Sequence, residues 1–148
     1  SIDELMQVLD HALENGFTVA WGADVSHKGF MHRDGIAVLP EGDWATKDAD
    51  ARKEAAKEPL PQQKVSQAMR QEAFDRYETT DDHGMQITGK YKDQNGTIYY
   101  KVKNSWGDDS NDCGGYFYAT AAYLRLRTIN FLVHRDAVPA AILSKLNL

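Results

Sequence analysis

Asp81 to Gly107 reads DDHGMQITGKYKDQNGTIYYKVKNSWG, and this stretch decides the fold. Apolar Met85, Ile87 and Tyr91 tend to alternate with polar Gln86, Thr88 and Lys90. Asp93-Gln94-Asn95-Gly96 is a turn cluster, and Ile98 to Val102 alternates again. Two alternating runs around such a cluster predict a β-hairpin. With the turn centred near Asp93 to Asn95, paired residues have numbers summing to roughly 187–189. His83 then lies opposite Asn104 or within one pair of it. Period-two counting puts His83 on the face of Met85 and Ile87, and Asn104 on the face of Ile98, Tyr100 and Val102. Two polar side chains are thus expected to emerge together at one end of an apolar face, in hydrogen-bonding geometry.

The chain of 148 residues is long enough for one domain with its own core. A net charge of −5 gives no electrostatic case for nucleic acid as a partner. No apolar run approaches the length of a membrane-spanning helix, and no signal-peptide pattern opens the sequence. No membrane association is expected. A single cysteine, Cys113, excludes an internal disulfide and a multi-cysteine metal site without identifying a compartment. No cofactor or metal is expected.

Upstream of the hairpin, Ser1-Ile2-Asp3-Glu4 fits a capping box, followed by Ile2, Leu5, Met6, Leu9, Ala12 and Leu13 on one helical face and Gly16 as the stop. A helix starting at Ser1 rather than at a Met reads as an artificial or processing boundary, so localisation signals are not expected to be legible here. Phe17 to Val25 (FTVAWGADV) is a near-continuous apolar run, expected to be a strand covered on both faces. Gly22 within it signals a bulge or a close approach by another backbone. Asp24 is given no role. His27 and His32, in the polar segment Ser26 to Gly35, have no metal-binding spacing and read as solvated loop histidines. Ile36 to Leu39 reads as a short strand ended by Pro40. Residues 43–78 form a helical excursion, with a surface helix from Asp43 to Glu58 and an amphipathic helix over Val65 to Tyr77.

After the hairpin, Gly107 to Gly115 is a Gly/Asp-rich loop. Tyr116 to Thr120 is a predicted strand followed by a helical turn. Arg127 to Arg135 is a further strand with Ile129, Phe131 and Val133 on one face, and His134 is exposed near its end. Val138 to Leu148 is a short amphipathic helix.

An asparagine on an apolar face is costly unless its amide is satisfied. A histidine beside it is the natural partner: the side-chain oxygen accepts from one ring N–H, fixes the tautomer and leaves the other nitrogen free as a base. By itself this pair fits a satisfied core histidine as well as a catalytic one. Lys103-Asn104-Ser105-Trp106-Gly107, however, closely resembles the Asn-Ser-Trp-Gly signature of papain-like cysteine peptidases. His83-Gly84-Met85 is similar to that family's His-Ala-Met segment, and Gly114-Gly115-Tyr116-Phe117 matches the strand that follows. Phe17 to Val25, the helical insertion up to Arg70 to Thr80, and Val133 to Pro139 resemble the bleomycin hydrolase and aminopeptidase C subgroup, so the likeness covers essentially the whole sequence.

The resemblance implies an α+β fold: the antiparallel, β-barrel-like half of a papain-like peptidase, with flanking helices and the 43–78 insertion. It implies His83 as general base and acid, Asn104 as its orienting partner and Trp106 as a shield over their hydrogen bond. It also places Gly22 in the pocket for the residue preceding the cleavage-site residue, where a glycine leaves room for a side chain, and Asp82 at the border of the substrate cleft. The family's nucleophilic cysteine opens a helix far upstream of the histidine. Cys113 follows the histidine instead and reads as incidental. The expectation is a C-terminal half that is inactive without the missing N-terminal half, with peptide as substrate. In that subgroup a C-terminal arm enters the cleft and confers aminopeptidase behaviour, and the residues after Pro139 read as too few for one. Ring-shaped hexamers and a cytoplasmic location are implied by resemblance only. The rival expectation is a non-catalytic papain-like module holding a peptide or partner in the same cleft.

Overall fold

Residues 1–147 are described by a computed structural model. Helix α1 (Ile2–Glu14) opens with the expected capping box: Ser1 Oγ accepts from the Glu4 backbone N–H, and the Glu4 carboxylate accepts from the Ser1 amine at 3.0 Å. Its buried residues, Ile2, Met6, Leu9 and Ala12, follow the helical repeat. Gly16, at φ +80°, ends it.

The α1 face packs on a seven-stranded sheet made of β1 (Val19–Ala23), β2 (Phe30–Met31), β3 (Ile36–Ala37), β4 (His83–Lys92), β5 (Ile98–Lys103), β6 (Tyr116–Thr120) and β7 (Thr128–Leu132). The spatial order is β2-β3-β6-β5-β4-β1-β7. All neighbours run antiparallel except β3 and β6, which are parallel. Val19, Trp21, Met85, Ile87, Tyr100, Val102, Phe117 and Ala119 form the buried face, closed by α1 and by Tyr123 and Leu124 of α4 (Ala121–Arg127). Trp21 Nε1 donates to Thr128 Oγ1 at 2.9 Å, so this buried indole leaves no polar atom unpaired. Helices flanking an antiparallel-dominated sheet are the α+β class expected.

The hairpin forms, with one irregularity. Ile87 faces Val102, but Thr88 is an extra residue, and beyond it Gly89 faces Lys101 and Lys90 faces Tyr100. This bulge turns Tyr91 outward, where it is 50% exposed rather than on the apolar face as the alternation predicted. β1 is shorter than the Phe17 to Val25 run and is covered on one face only: Val19, Trp21 and Ala23 are buried while Ala20 is exposed. The neighbouring strands β4 and β7 leave its other face to an open groove.

Two helical expectations change. The Asp43 to Glu58 helix contracts to α2 (Ala49–Ala55), N-capped by Asp48, because Trp44 folds into a separate 3₁₀ turn and buries its ring. The Val65 to Tyr77 helix contracts to α3 (Gln67–Asp75), N-capped by Ser66. Its predicted apolar stripe fails: Met69, Phe74 and Tyr77 are exposed, and Ala73, with Val65 just before the helix, packs inward against Leu39 and Leu126. α4 runs directly into β7, so Arg127 leaves the predicted strand and is the last residue of a two-turn helix. The tail forms α5 (Ala140–Leu146); Leu148, the predicted end of that helix, lies outside the described residues.

Candidate active site

His83 opens β4 and Asn104 directly follows β5, so the hairpin brings them to one end of the sheet. Asn104 is 3% exposed, yet each of its side-chain polar groups is satisfied. Oδ1 lies 2.8 Å from the Ser105 backbone nitrogen and 2.7 Å from His83 Nε2. A backbone N–H only donates, so the atom it meets must be the amide oxygen. The orientation of the Asn104 amide is therefore fixed by chemistry. It follows that His83 Nε2 carries a proton and donates to Oδ1; in the neutral ring Nδ1 then holds the lone pair. No described side chain hydrogen-bonds that Nδ1.

The amide nitrogen of Asn104 points the other way, to His32 Nδ1 at 3.2 Å. His32 Nε2 lies 2.8 Å from Ser110 Oγ, which donates to the Gly107 carbonyl at 2.7 Å. The same logic fixes these protons: Ser110 spends its hydrogen on Gly107, so His32 Nε2 must donate to Ser110, and Nδ1 accepts from Asn104. His32, expected to be a solvated loop residue, is 5% exposed. Burial, and then the neighbouring His83, hold its pKa below the ordinary histidine value. Sequence spacing gave no sign of it, because 72 residues separate it from Asn104.

The loop after Trp106 is built to hold this arrangement. Asn111 Oδ1 accepts from the Cys113 and Gly115 backbone N–H groups, and its Nδ2 donates to the carbonyls of His32 and Tyr116. Gly115, at φ +75°, has no room for a side chain, since a Cβ would lie 2.5 Å from the Gly107 carbonyl oxygen. Cys113 is exposed, with its sulfur over Gly35 and no hydrogen bond to His83.

Trp106 lies against the His83 ring, with centroids 4.9 Å apart, and meets His32 edge-on at 5.0 Å and Phe30 edge-on at 5.8 Å. Trp106 is 51% exposed, with one face on the His83 ring and the other open to solvent.

Beside the pair runs an open groove of about 580 Å³, lined by Gly22, Gly84, Asn104, Ser105, Asn130 and Leu132 among others. Gly22 pairs with Gly84 across β1 and β4, and the β1–β7 register slips at Gly22. Of the two alternatives expected at Gly22, the register irregularity is present, whereas the close neighbour is a side chain and not another backbone. A Cβ on Gly22 would meet Asn130 Oδ1 at 2.7 Å, whereas one on Gly84 would meet open space. The room expected over Gly22 is thus filled by Asn130. Asp82 does not line the groove; its carboxylate accepts from the Thr80 hydroxyl at 2.5 Å, and Asp81 lines the groove instead.

Asp24, given no role from sequence, anchors the segment that leads into His83. It is 1% exposed and accepts from Ser26 N, Ser26 Oγ and Thr80 N at 2.7–2.9 Å. Burial pushes its pKa up, but these bonds and nearby Arg127 outweigh that and hold it below the usual carboxylate value. Arg127 in turn donates to the Glu78 carbonyl and to Thr79 Oγ1. The Asp-x-Ser spacing at Asp24 was the available signal for an Asx turn. Among the described residues no group of three or more His, Cys, Asp or Glu side chains is placed to hold a metal ion.

The sequence matches the Peptidase C1-like family over residues 1–148. The chain belongs to that family. No curated protein matches it by sequence. The fold is similar to the crystal structure of PepW from Lactobacillus rhamnosis HN001, with TM-score 0.67 and 22% identity; the alignment covers 99% of this chain and 29% of that one. The Amb a 11 cysteine protease of ragweed pollen, in its proform, aligns at TM-score 0.44 and 18% identity over 89% of this chain and 27% of that one. This Peptidase C1-like chain thus spans under a third of the length of the PepW chain it matches. Within it, His83, Asn104 and Trp106 are brought together, Gly22 lies in the adjoining groove, and Asp82 stands outside it.

Proposed function

We propose that this chain supplies the general base and its orienting partner to a papain-like cysteine peptidase that hydrolyses peptide bonds. The supporting observation is the His83 Nε2–H bond to Asn104 Oδ1, at 2.7 Å, which orients the ring and leaves Nδ1 without a described hydrogen-bond partner at the end of the sheet. A base with a fixed tautomer and a free lone pair is what activation of a nucleophile requires.

In this reading residues 1–148 are one domain, with 43–78 as an insertion, and the nucleophilic cysteine and oxyanion donors lie on residues outside them. His83 Nδ1 takes the thiol proton, giving a thiolate–imidazolium pair. The thiolate attacks the peptide carbonyl, and the imidazolium returns the proton to the departing amine. Water then attacks the acyl-enzyme with His83 again as base. Asn104 keeps the ring oriented and stabilises its charged form, as the third member of a triad does. The groove over Gly22 and Gly84 receives the peptide chain. Cleavage at the amino end is the finer proposal, supported by the whole-chain resemblance to the aminopeptidase C subgroup.

The test is to join this chain to the remainder of its parent protein and to assay small aminoacyl and peptide substrates. Hydrolysis lost in His83→Ala is the expected outcome. Undiminished hydrolysis in that variant would overturn the assignment.

A further inference from the structure

We infer that His32 is a positioning residue that, together with the Ser105 backbone N–H, holds the Asn104 amide in the orientation that selects the His83 tautomer. The inference rests on the peptidase reading for its consequence in turnover, but the geometry that carries it does not.

Two hydrogens are fixed at the ends of this run of bonds. The Ser105 backbone N–H can only donate, so Asn104 Oδ1 faces it, and the Asn104 amide N–H₂ must face His32. At the far side, Ser110 Oγ gives its hydrogen to the Gly107 carbonyl, so it can only accept from His32 Nε2. With both rings neutral, only one proton arrangement between these ends avoids donor facing donor: Ser110 ← His32 Nε2–H, His32 Nδ1 ← Asn104 Nδ2–H, Asn104 Oδ1 ← His83 Nε2–H. The last link puts the proton on His83 Nε2 and the lone pair on Nδ1.

Without an acceptor at the His32 position the Asn104 amide, 3% exposed, would bury an unsatisfied N–H. Turning over would present a donor to His83 Nε2 and move the imidazole proton to Nδ1, but would also set Nδ2 against the Ser105 N–H; without the His32 acceptor the amide is anchored from the Ser105 side only and is free to tilt away from His83. His32 opposes both movements. Its backbone carbonyl is held by Asn111, and its ring is packed by Phe30, Trp106 and Phe117, so the acceptor is fixed in place. A buried histidine that merely fills space has no need of a defined tautomer.

Two substitutions separate the roles. His32→Asn keeps a carbonyl oxygen near the position of Nδ1, so the acceptor for Asn104 survives. His32→Gln keeps an amide nitrogen near the position of Nε2, so the bond to Ser110 survives and the acceptor is lost. In long-range ¹H–¹⁵N imidazole spectra of the 148-residue chain at pH 8, wild-type His83 should be the Nε2–H tautomer. His32→Asn should retain it. His32→Gln should lower the ratio of Nε2–H to Nδ1–H forms about tenfold, the effect of losing one hydrogen bond. An unchanged ratio in His32→Gln, or equal changes in both variants, would overturn the inference. Should His32→Gln fail to fold, wild-type His32 decides alone: an Nδ1–H tautomer at His32 would equally overturn it. In the joined enzyme, kcat of His32→Gln should fall about tenfold below that of His32→Asn with KM shared. Tautomers that behave as expected beside an active His83→Ala enzyme would sink the peptidase reading and leave the positioning role standing. The reverse pair of results would do the opposite.

Discussion

His83 Nε2 lies 2.7 Å from Asn104 Oδ1, although the ladder between their strands ends at the Gln86–Lys103 pair. The contact is therefore diagonal, made where the strands have stopped pairing and Asn104 has turned to donate its backbone N–H to the Gly115 carbonyl. Because the loop after Trp106 holds Asn104 from one side and His32 from the other, the amide is a fixed reference for the ring.

Replacing that amide with a carboxylate tests the electrostatics. In Asn104→Asp one oxygen still accepts from Ser105 and His83, but the other faces the His32 Nδ1 lone pair. His32 gains a negative neighbour, so its titration midpoint, lowered by burial, should rise. NMR titration of that ring reads this directly. In the joined enzyme the same change should cut turnover about a hundredfold, because the second carboxylate oxygen meets the His32 lone pair and unseats the group that orients His83.

Trp106 makes a separate prediction. Its ring covers the His83 imidazole but is 51% exposed, so Trp106→Ala should cost little stability, about 1 kcal/mol by denaturant melting. It should admit water to the His83–Asn104 bond. Exchange of the His83 Nε2 proton with solvent should accelerate by at least about tenfold, since a bond once shielded becomes exposed. Unchanged exchange would show that the ring packs there without shielding.

The hairpin and α1 were legible because each has a short-range signal: alternation around Asp93–Gly96, and a capping box followed by a helical stripe. The His83–Asn104 pair was legible for the same reason, since a hairpin makes long-range contact computable from local sequence. His32 was not, because β2 and β3 are two residues each and carry no pattern from which their place beside Asn104 follows. The α3 stripe misled because Met69, Phe74 and Tyr77 have helical spacing but sit on a helix that packs through Ala73. Tyr91 was misplaced by one bulged residue, Thr88, which reverses every face beyond it. Asn130 filling the space over Gly22 depends on the register of β7 against β1, a pairing across more than a hundred residues that no local pattern specifies.

That packing gives the next prediction. Gly22→Ala should drive the Asn130 amide off β1 and into the groove, since the new Cβ would lie 2.7 Å from its Oδ1. Asn130 is an exposed side chain and can move, so the cost in stability should stay near about 1 kcal/mol. Asn130→Gly should remove it, leaving a coupling between the two sites in a double-mutant cycle of unfolding free energies. Independent, additive effects would mean that Asn130 does not fill the space over Gly22 in solution.

The final prediction concerns acid. His27 Nδ1 accepts from the Gly29 backbone N–H at 2.9 Å, and its ring meets Tyr123 edge-on. Burial, with repulsion from Arg127, Arg52 and Lys28 only partly offset by Asp24, lowers its pKa from 6.5 to about 4. A depressed histidine pKa means the unfolded chain binds a proton before the folded one does. Between pH 6.5 and about 4 stability therefore rises with pH: the contribution is present above 6.5 and is lost as the pH falls towards 4. His32, lowered in the same direction, adds to this slope. Asp24, held below its ordinary value of 3.8, loses its contribution only in stronger acid, so the two effects occupy different windows. His27→Asn preserves an acceptor for Gly29 and removes the titration. Its denaturant midpoint should fall between pH 7 and pH 4.5 with a slope roughly half that of the wild type. Parallel curves for the two proteins would show that His27 is protonated equally in the folded and unfolded states.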